Sequence, residues 1–112
     1  MSRWLRVAEE INKKAEILAE LLKAYKYFIN SDYEDYNKLI QNITQQIIDR
    51  VYRDESSELY CTNDELIQII SDVRNIINID SEVFTDKYGQ EHYIYNDLLD
   101  SFEKIAKESN ND

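Results

Sequence analysis

Residues 62–79 read TNDELIQIISDVRNIINI. Leu66, Ile70, Val73 and Ile77 recur at spacings of four, three and four, which places them on one face of an α-helix. Ile67, Ile69, Ile76 and Ile79 widen that face beyond the strip a surface helix needs, so the segment predicts a central, largely enclosed helix over 63–79. Its start is marked as well. Thr62 followed three residues later by Glu65 is a capping box, in which each side chain satisfies a backbone N–H that the first helical turn leaves without a partner.

A helix with so much apolar surface needs neighbours, and the flanking sequence supplies them. Upstream, Asp54-Glu55-Ser56-Ser57-Glu58 has loop composition, and before it Tyr36, Ile40, Ile43, Ile47 and Val51 form the stripe of a second helix over about 32–53. Leu39, Ile48 and Tyr52 lie alongside that stripe, and Ser31 with Glu34 reads as its capping box. Earlier still, Trp4, Ala8, Ile11, Ala15, Leu18, Leu22, Tyr25 and Ile29 alternate at four and three along a first helix of about 2–29. Ile17, Leu21, Ala24 and Phe28 add a second apolar set, so the C-terminal half of this helix is expected to be the more enclosed.

Downstream the period changes. Val83-Phe84-Thr85 and Glu91-His92-Tyr93-Ile94-Tyr95 flank a lone Gly89, which predicts a short β-hairpin over 83–95 with the glycine in a left-handed turn position. Asn96 is the expected N-cap of a last helix over 97–108, with Leu98, Leu99, Phe102, Ile105 and Ala106 facing inward and residues 107–112 fraying. The expected fold is one mainly α domain spanning 1–112. It is a small antiparallel helical bundle of three helices, a hairpin and a C-terminal helix.

Composition narrows the chemistry. A chain of 112 residues can bury roughly two thirds of its unfolded surface, so it needs no disulfide or metal to fold. With a single Gly, no phosphate-cradling loop of the Walker or dinucleotide kind can be written. One Cys and one His cannot make a structural zinc site. Cys61 and His92 lie 31 residues apart, and the simpler readings are a small buried hydrophobe and a strand residue among aromatics. The carboxylate pairs Asp32/Asp35 and Asp97/Asp100 have the i, i+3 spacing for a divalent cation but fit helix N-termini better. No cofactor or metal is implied, and no catalytic constellation emerges. Neither a membrane-spanning run nor a signal-peptide block is present, which makes a reducing, cytoplasmic setting the expectation.

Charge carries the functional signal. Residues 1–30 hold six cations and four anions, whereas residues 31–112 hold seven cations and nineteen anions, within a net charge of −10. Direct nucleic-acid binding is therefore not expected, because affinity for phosphate comes from Lys and Arg. A basic protein partner is expected instead, either a nucleic-acid enzyme or a toxin. Of the nine tyrosines, Tyr25, Tyr27 and Tyr36 lie on or beside core stripes, while Tyr33, Tyr52, Tyr60, Tyr88, Tyr93 and Tyr95 are less well explained by a core. Tyrosine beside acidic residues is the composition of a recognition surface. The expected partner-binding set is Asp49, Asp54, Glu55, Glu58, Tyr60, Asp64, Glu65, Asp72, Asp86, Tyr88, Glu91 and Tyr93. By class alone, the chain looks like the small acidic inhibitors with which phages and mobile elements block restriction or CRISPR enzymes, DNA mimics included. It is similar, too, to immunity proteins and antitoxins that cap a basic toxin. Self-association through the stripe of the first helix is a third expectation.

Overall fold

The capping box forms as expected: the Glu65 N–H donates to Thr62 Oγ1 at 3.2 Å and the Thr62 N–H donates to Glu65 Oε1 at 3.1 Å. In the computed structural model, which describes residues 3–29 and 35–109 (side chains from 9 to 29 and 35 to 108), four helices and a two-stranded antiparallel hairpin follow one another. They are α1 (Arg3–Tyr25), α2 (Tyr36–Ile47), α3 (Asn63–Ile76), β1 (Val83–Thr85), β2 (Glu91–Tyr93) and α4 (Ile94–Ser109). A 3₁₀ turn, Lys26–Phe28, extends α1, and a π turn, Ile48–Tyr52, extends α2. This is the mainly helical bundle with a hairpin that the periodicities predict. Among the described residues no helix is long and apolar enough to cross a membrane.

The starts of α2 and α4 and the end of α3 differ from expectation, each for a local reason. Helix α2 begins at Tyr36, because Asp35 takes extended backbone and its Oδ1 accepts the Lys38 N–H at 3.2 Å. The expected Ser31–Glu34 box lies outside the described residues. Helix α3 ends at Ile76, three residues early. Asn78 Oδ1 accepts the Asp80 N–H and the Asn78 carbonyl accepts from the Ser81 N–H and Oγ, a turn that outcompetes further helix. Helix α4 starts at Ile94, directly from β2, with the Ile94 N–H donating to the Glu82 carbonyl at 3.1 Å. Asn96 is therefore inside the helix and caps nothing. Its Oδ1 accepts from Arg74 at 3.2 Å. The expected frayed tail is helical as far as Ser109.

Consecutive helices alternate in direction, but the main packing contacts are α1 with α3, α3 with α4 and α2 with α4, so the order in space is α1–α3–α4–α2. Spatial neighbours α1 and α3 thus run parallel: Lys14 reaches the Tyr60 carbonyl just before α3, and Tyr27 shares a groove with Ile76 at the far end. Leu18 and Leu22 of α1, Leu66, Ile69 and Val73 of α3, and Leu98, Leu99 and Phe102 of α4 are sealed from solvent at the centre. Arg74 clamps α3 to α4 through Asn96, Asp100 (2.6 Å) and Glu103 (3.5 Å).

The π turn alters the phase of α2's end. It turns Ile47, Ile48 and Tyr52 inward together, and Tyr52 meets Phe102 edge-on with ring centroids 6.2 Å apart. Burial raises the phenol pKa of Tyr52 well above its ordinary value, and among the described residues its hydroxyl has no hydrogen-bond partner. A buried hydroxyl left so costs about 1–3 kcal/mol. Tyr52 and Tyr95 are core residues, against expectation.

Candidate protein-binding surface

The hairpin is organised by Asp86. Its Oδ1 accepts the Tyr88 and Gln90 N–H groups, both at 2.9 Å, while its Oδ2 pairs with His92 Nε2 at 2.9 Å. Gly89 sits at φ +83°, where a side chain would be strained, and its N–H donates to the Asp86 carbonyl. In the register Val83↔Tyr93, Phe84↔His92, Thr85↔Glu91, alternate residues face opposite ways. Phe84 and His92 turn to the bundle, where the His92 ring stacks on Tyr36 with centroids 3.9 Å apart and the Tyr36 hydroxyl donates to Asp97 at 2.7 Å. Val83 and Tyr93 form the cross-strand pair on the open face.

Beside the hairpin, the ends of α1 and α3 enclose a groove of about 550 Å³ whose walls include Ala24, Tyr27, Ile76, Ile77 and Tyr95. A 2.8 Å ion pair between Lys26 and Glu82 closes one side, and the Glu82 hydrogen bond raises the Lys26 pKa. Seven large apolar side chains are exposed among the described residues, and six of them, Tyr27, Phe28, Ile76, Val83, Tyr88 and Tyr93, lie at this end of the bundle. Tyr27 and Tyr88 are the most open, at 81% and 78%. Aromatic residues are enriched at protein interfaces relative to the rest of a protein's surface.

The expected partner-binding set is split by the fold. Asp86, Tyr88, Glu91 and Tyr93 belong to the hairpin end, whereas Asp49, Asp54, Glu55, Glu58, Tyr60, Asp64 and Glu65 gather at the opposite end, about 20 Å away along the 14 residues of α3. Several of this second group serve local structure. Asp54 accepts from the Ser56 hydroxyl and N–H, which lowers its pKa; Asp49 accepts from Gln45; and Glu65 completes the capping box. Asp72, midway on α3, accepts from Gln68. Tyr27, Phe28, Ile76 and Val83 are missing from the expected set. Tyr27 is expected beside the core stripes, but it lies two residues past Tyr25, about 200° around the helix, and both it and Phe28 are exposed in the 3₁₀ turn.

Cys61 and His92 lie at opposite ends of α3 and cannot act as a pair. Burial pushes the Cys61 thiol up to about 11, so it stays protonated and inert at neutral pH. No three His, Cys, Asp or Glu residues among those described come together as a metal-holding group. No family model, curated protein or solved structure matches this chain.

The hydrogen bond from His92 and the turn amides hold the Asp86 carboxyl below the usual range. A depressed carboxylate pKa stabilises the fold above the unfolded-state pKa, about 3.9, and that contribution is lost as pH falls through the lower folded value. The protection of the Tyr88 and Gln90 amides, measured by NMR as exchange relative to the unstructured rate at each pH, should therefore hold from neutral pH to about 5 and fall only below about 4. Asp86→Asn keeps the turn acceptor and should abolish that acid step, whereas Asp86→Ala should loosen the hairpin at every pH.

Proposed function

We propose that this protein is a non-enzymatic acidic inhibitor that docks its hairpin end on a cationic surface of a partner protein, of the kind nucleic-acid enzymes use to hold phosphate. The concentration of six exposed apolar side chains at one end of a chain of net charge −10 carries this reading. Apolar anchors supply affinity once water is excluded, and the surrounding carboxylates steer the approach and select a basic partner. Glu91 shares the open strand face with Tyr93 and supplies the anionic group there, whereas Glu82 is paired with Lys26, and Lys26 and Lys87 lie over the Tyr27 and Tyr88 rings.

The test is capture of a nucleic-acid enzyme from a bacterial lysate on immobilised protein, washed in parallel at about 0.05 and 0.5 M salt, where the Debye length shrinks roughly threefold. The expected result is a basic enzyme held at low salt, shed at high salt and displaced by added duplex DNA or RNA. Retention of one partner through both washes, indifferent to nucleic acid, would replace this reading with that of an immunity protein or antitoxin. Capture of no protein at either salt would count against both.

A further inference from the structure

The part of the α1 stripe expected to mediate self-association is spent within the fold, where Ala15, Leu18 and Leu22 have no exposed surface. A different set of groups is left open, on the hairpin. The Ile94 N–H donates to the Glu82 carbonyl and the Asp86 N–H to the Gln90 carbonyl, so Glu82, Phe84 and Asp86 are the residues that turn their backbone toward β2. Val83 and Thr85 alternate with them, and their N–H and C=O groups point the other way, out of the hairpin. Among the described residues these outward groups have no hydrogen-bond partner. Both residues are exposed, Val83 at 46%.

Donors and acceptors alternating along an extended strand are matched by the backbone of another extended chain, which is how open sheet edges recruit peptides. The outer edge of β2 is less suited, because Tyr93 passes directly into α4, a cylinder about 10 Å across, whereas β1 lies between two turns. Side chains beside the β1 edge define what the added segment carries. Its residues opposite Val83 and Thr85 stand on the open face, where β-branched side chains pair well with β-branched neighbours. The residues between them point to the bundle side, as Glu82, Phe84 and Asp86 do. Glu82 Oε1 is taken by Lys26, but Oε2 has no partner among the described residues. A cation complements that oxygen on a chain of net charge −10. A second copy of this chain fits poorly. Joining β1 to β1 antiparallel, in the two-fold register that sets Val83 against Thr85, also sets Glu82 against Asp86 at each end, and like charges directly opposite destabilise a ladder.

We infer, on the reading of the hairpin end as the docking surface for a basic partner, that the β1 edge takes an added strand: an extended segment of the partner in which lysine or arginine alternates with β-branched residues. The backbone of Val83 and Thr85 supplies the pairing, and Glu82 supplies the anion.

The test is an amide NMR titration of the full chain with a blocked synthetic hexapeptide of alternating lysine and valine. The Val83 and Thr85 amides should shift together and gain protection from exchange. The same peptide N-methylated at its valines keeps every charge but loses the donors that face β1, and it should not produce this protection. Thr85→Pro removes an N–H that β2 does not use, a place where an edge strand tolerates proline, and should weaken the peptide by about tenfold or more. Thr85→Val keeps the N–H and should bind as the wild type does. A protected Ile94 amide reports an intact hairpin, and Val83→Pro reads the same edge should Thr85→Pro disturb it. No response at Val83 and Thr85, equal protection by the N-methylated peptide, or undiminished affinity in both proline variants would overturn the inference. Failure of the docking reading shows elsewhere, as the absence of a basic enzyme from the lysate capture, whereas a basic enzyme held equally by the wild type and Thr85→Pro keeps that reading and removes strand addition.

Discussion

Phe102→Ala is expected to lower the unfolding free energy by about 3–5 kcal/mol. The ring has no exposed surface and packs edge-on against Tyr52 at 6.2 Å, so its removal opens a void between α4 and the end of α2 that neighbouring side chains cannot fill. Domains of this size have about 5–15 kcal/mol of stability in total, so the variant should retain little of it. Urea unfolding followed by circular dichroism should show a midpoint moved far toward zero denaturant with an unchanged slope. A loss below about 1 kcal/mol would remove Phe102 from the core.

Tyr27→Ala combined with Tyr93→Ala should weaken binding to the captured partner by about a hundredfold or more, while leaving the fold nearly as stable as before. Each anchoring tyrosine at the centre of an interface is worth about 1–2 kcal/mol or more, and every 1.4 kcal/mol is tenfold in affinity. Both side chains are exposed, Tyr27 beside the groove and Tyr93 on the open strand face, so the folded chain gives up little. Tyr60→Ala, at the opposite end, is the matched control and should leave affinity unchanged. Calorimetric titration of the three proteins separates the outcomes, and equal loss in the control would relocate the surface.

What could be read from residues alone was whatever their immediate neighbours decide. Thr62 and Glu65 meet across one helical turn, Gly89 answers to its own φ, and the apolar stripes of α3 and α4 depend only on a 3.6-residue period. Expectation fails where that period changes or where a distant partner intervenes. A π turn carries Tyr52 in and leaves no mark on composition, whereas the outward place of Tyr27, two residues past Tyr25, was legible from the period itself. Helix α4 starts early because a carbonyl on Glu82 receives the Ile94 amide across the hairpin. The acidic set reads as one surface along the sequence because α3, which holds its halves apart, contributes length that only the folded chain reveals.

The parallel seating of α1 on α3 also sets an order of events during synthesis. Helix α1 ends at Tyr25, yet the surface it covers is not complete until Ile76 has been added, about fifty residues later. At roughly 5–20 residues per second, that delay lasts several seconds. Throughout it, Leu18 and Leu22 have been made but their α3 partners have not, while α2, the next helix to emerge, packs mainly on α4 and provides no substitute. The nascent chain therefore emerges with the apolar face of α1 uncovered for that interval, transiently exposed surface of the kind that chaperones bind.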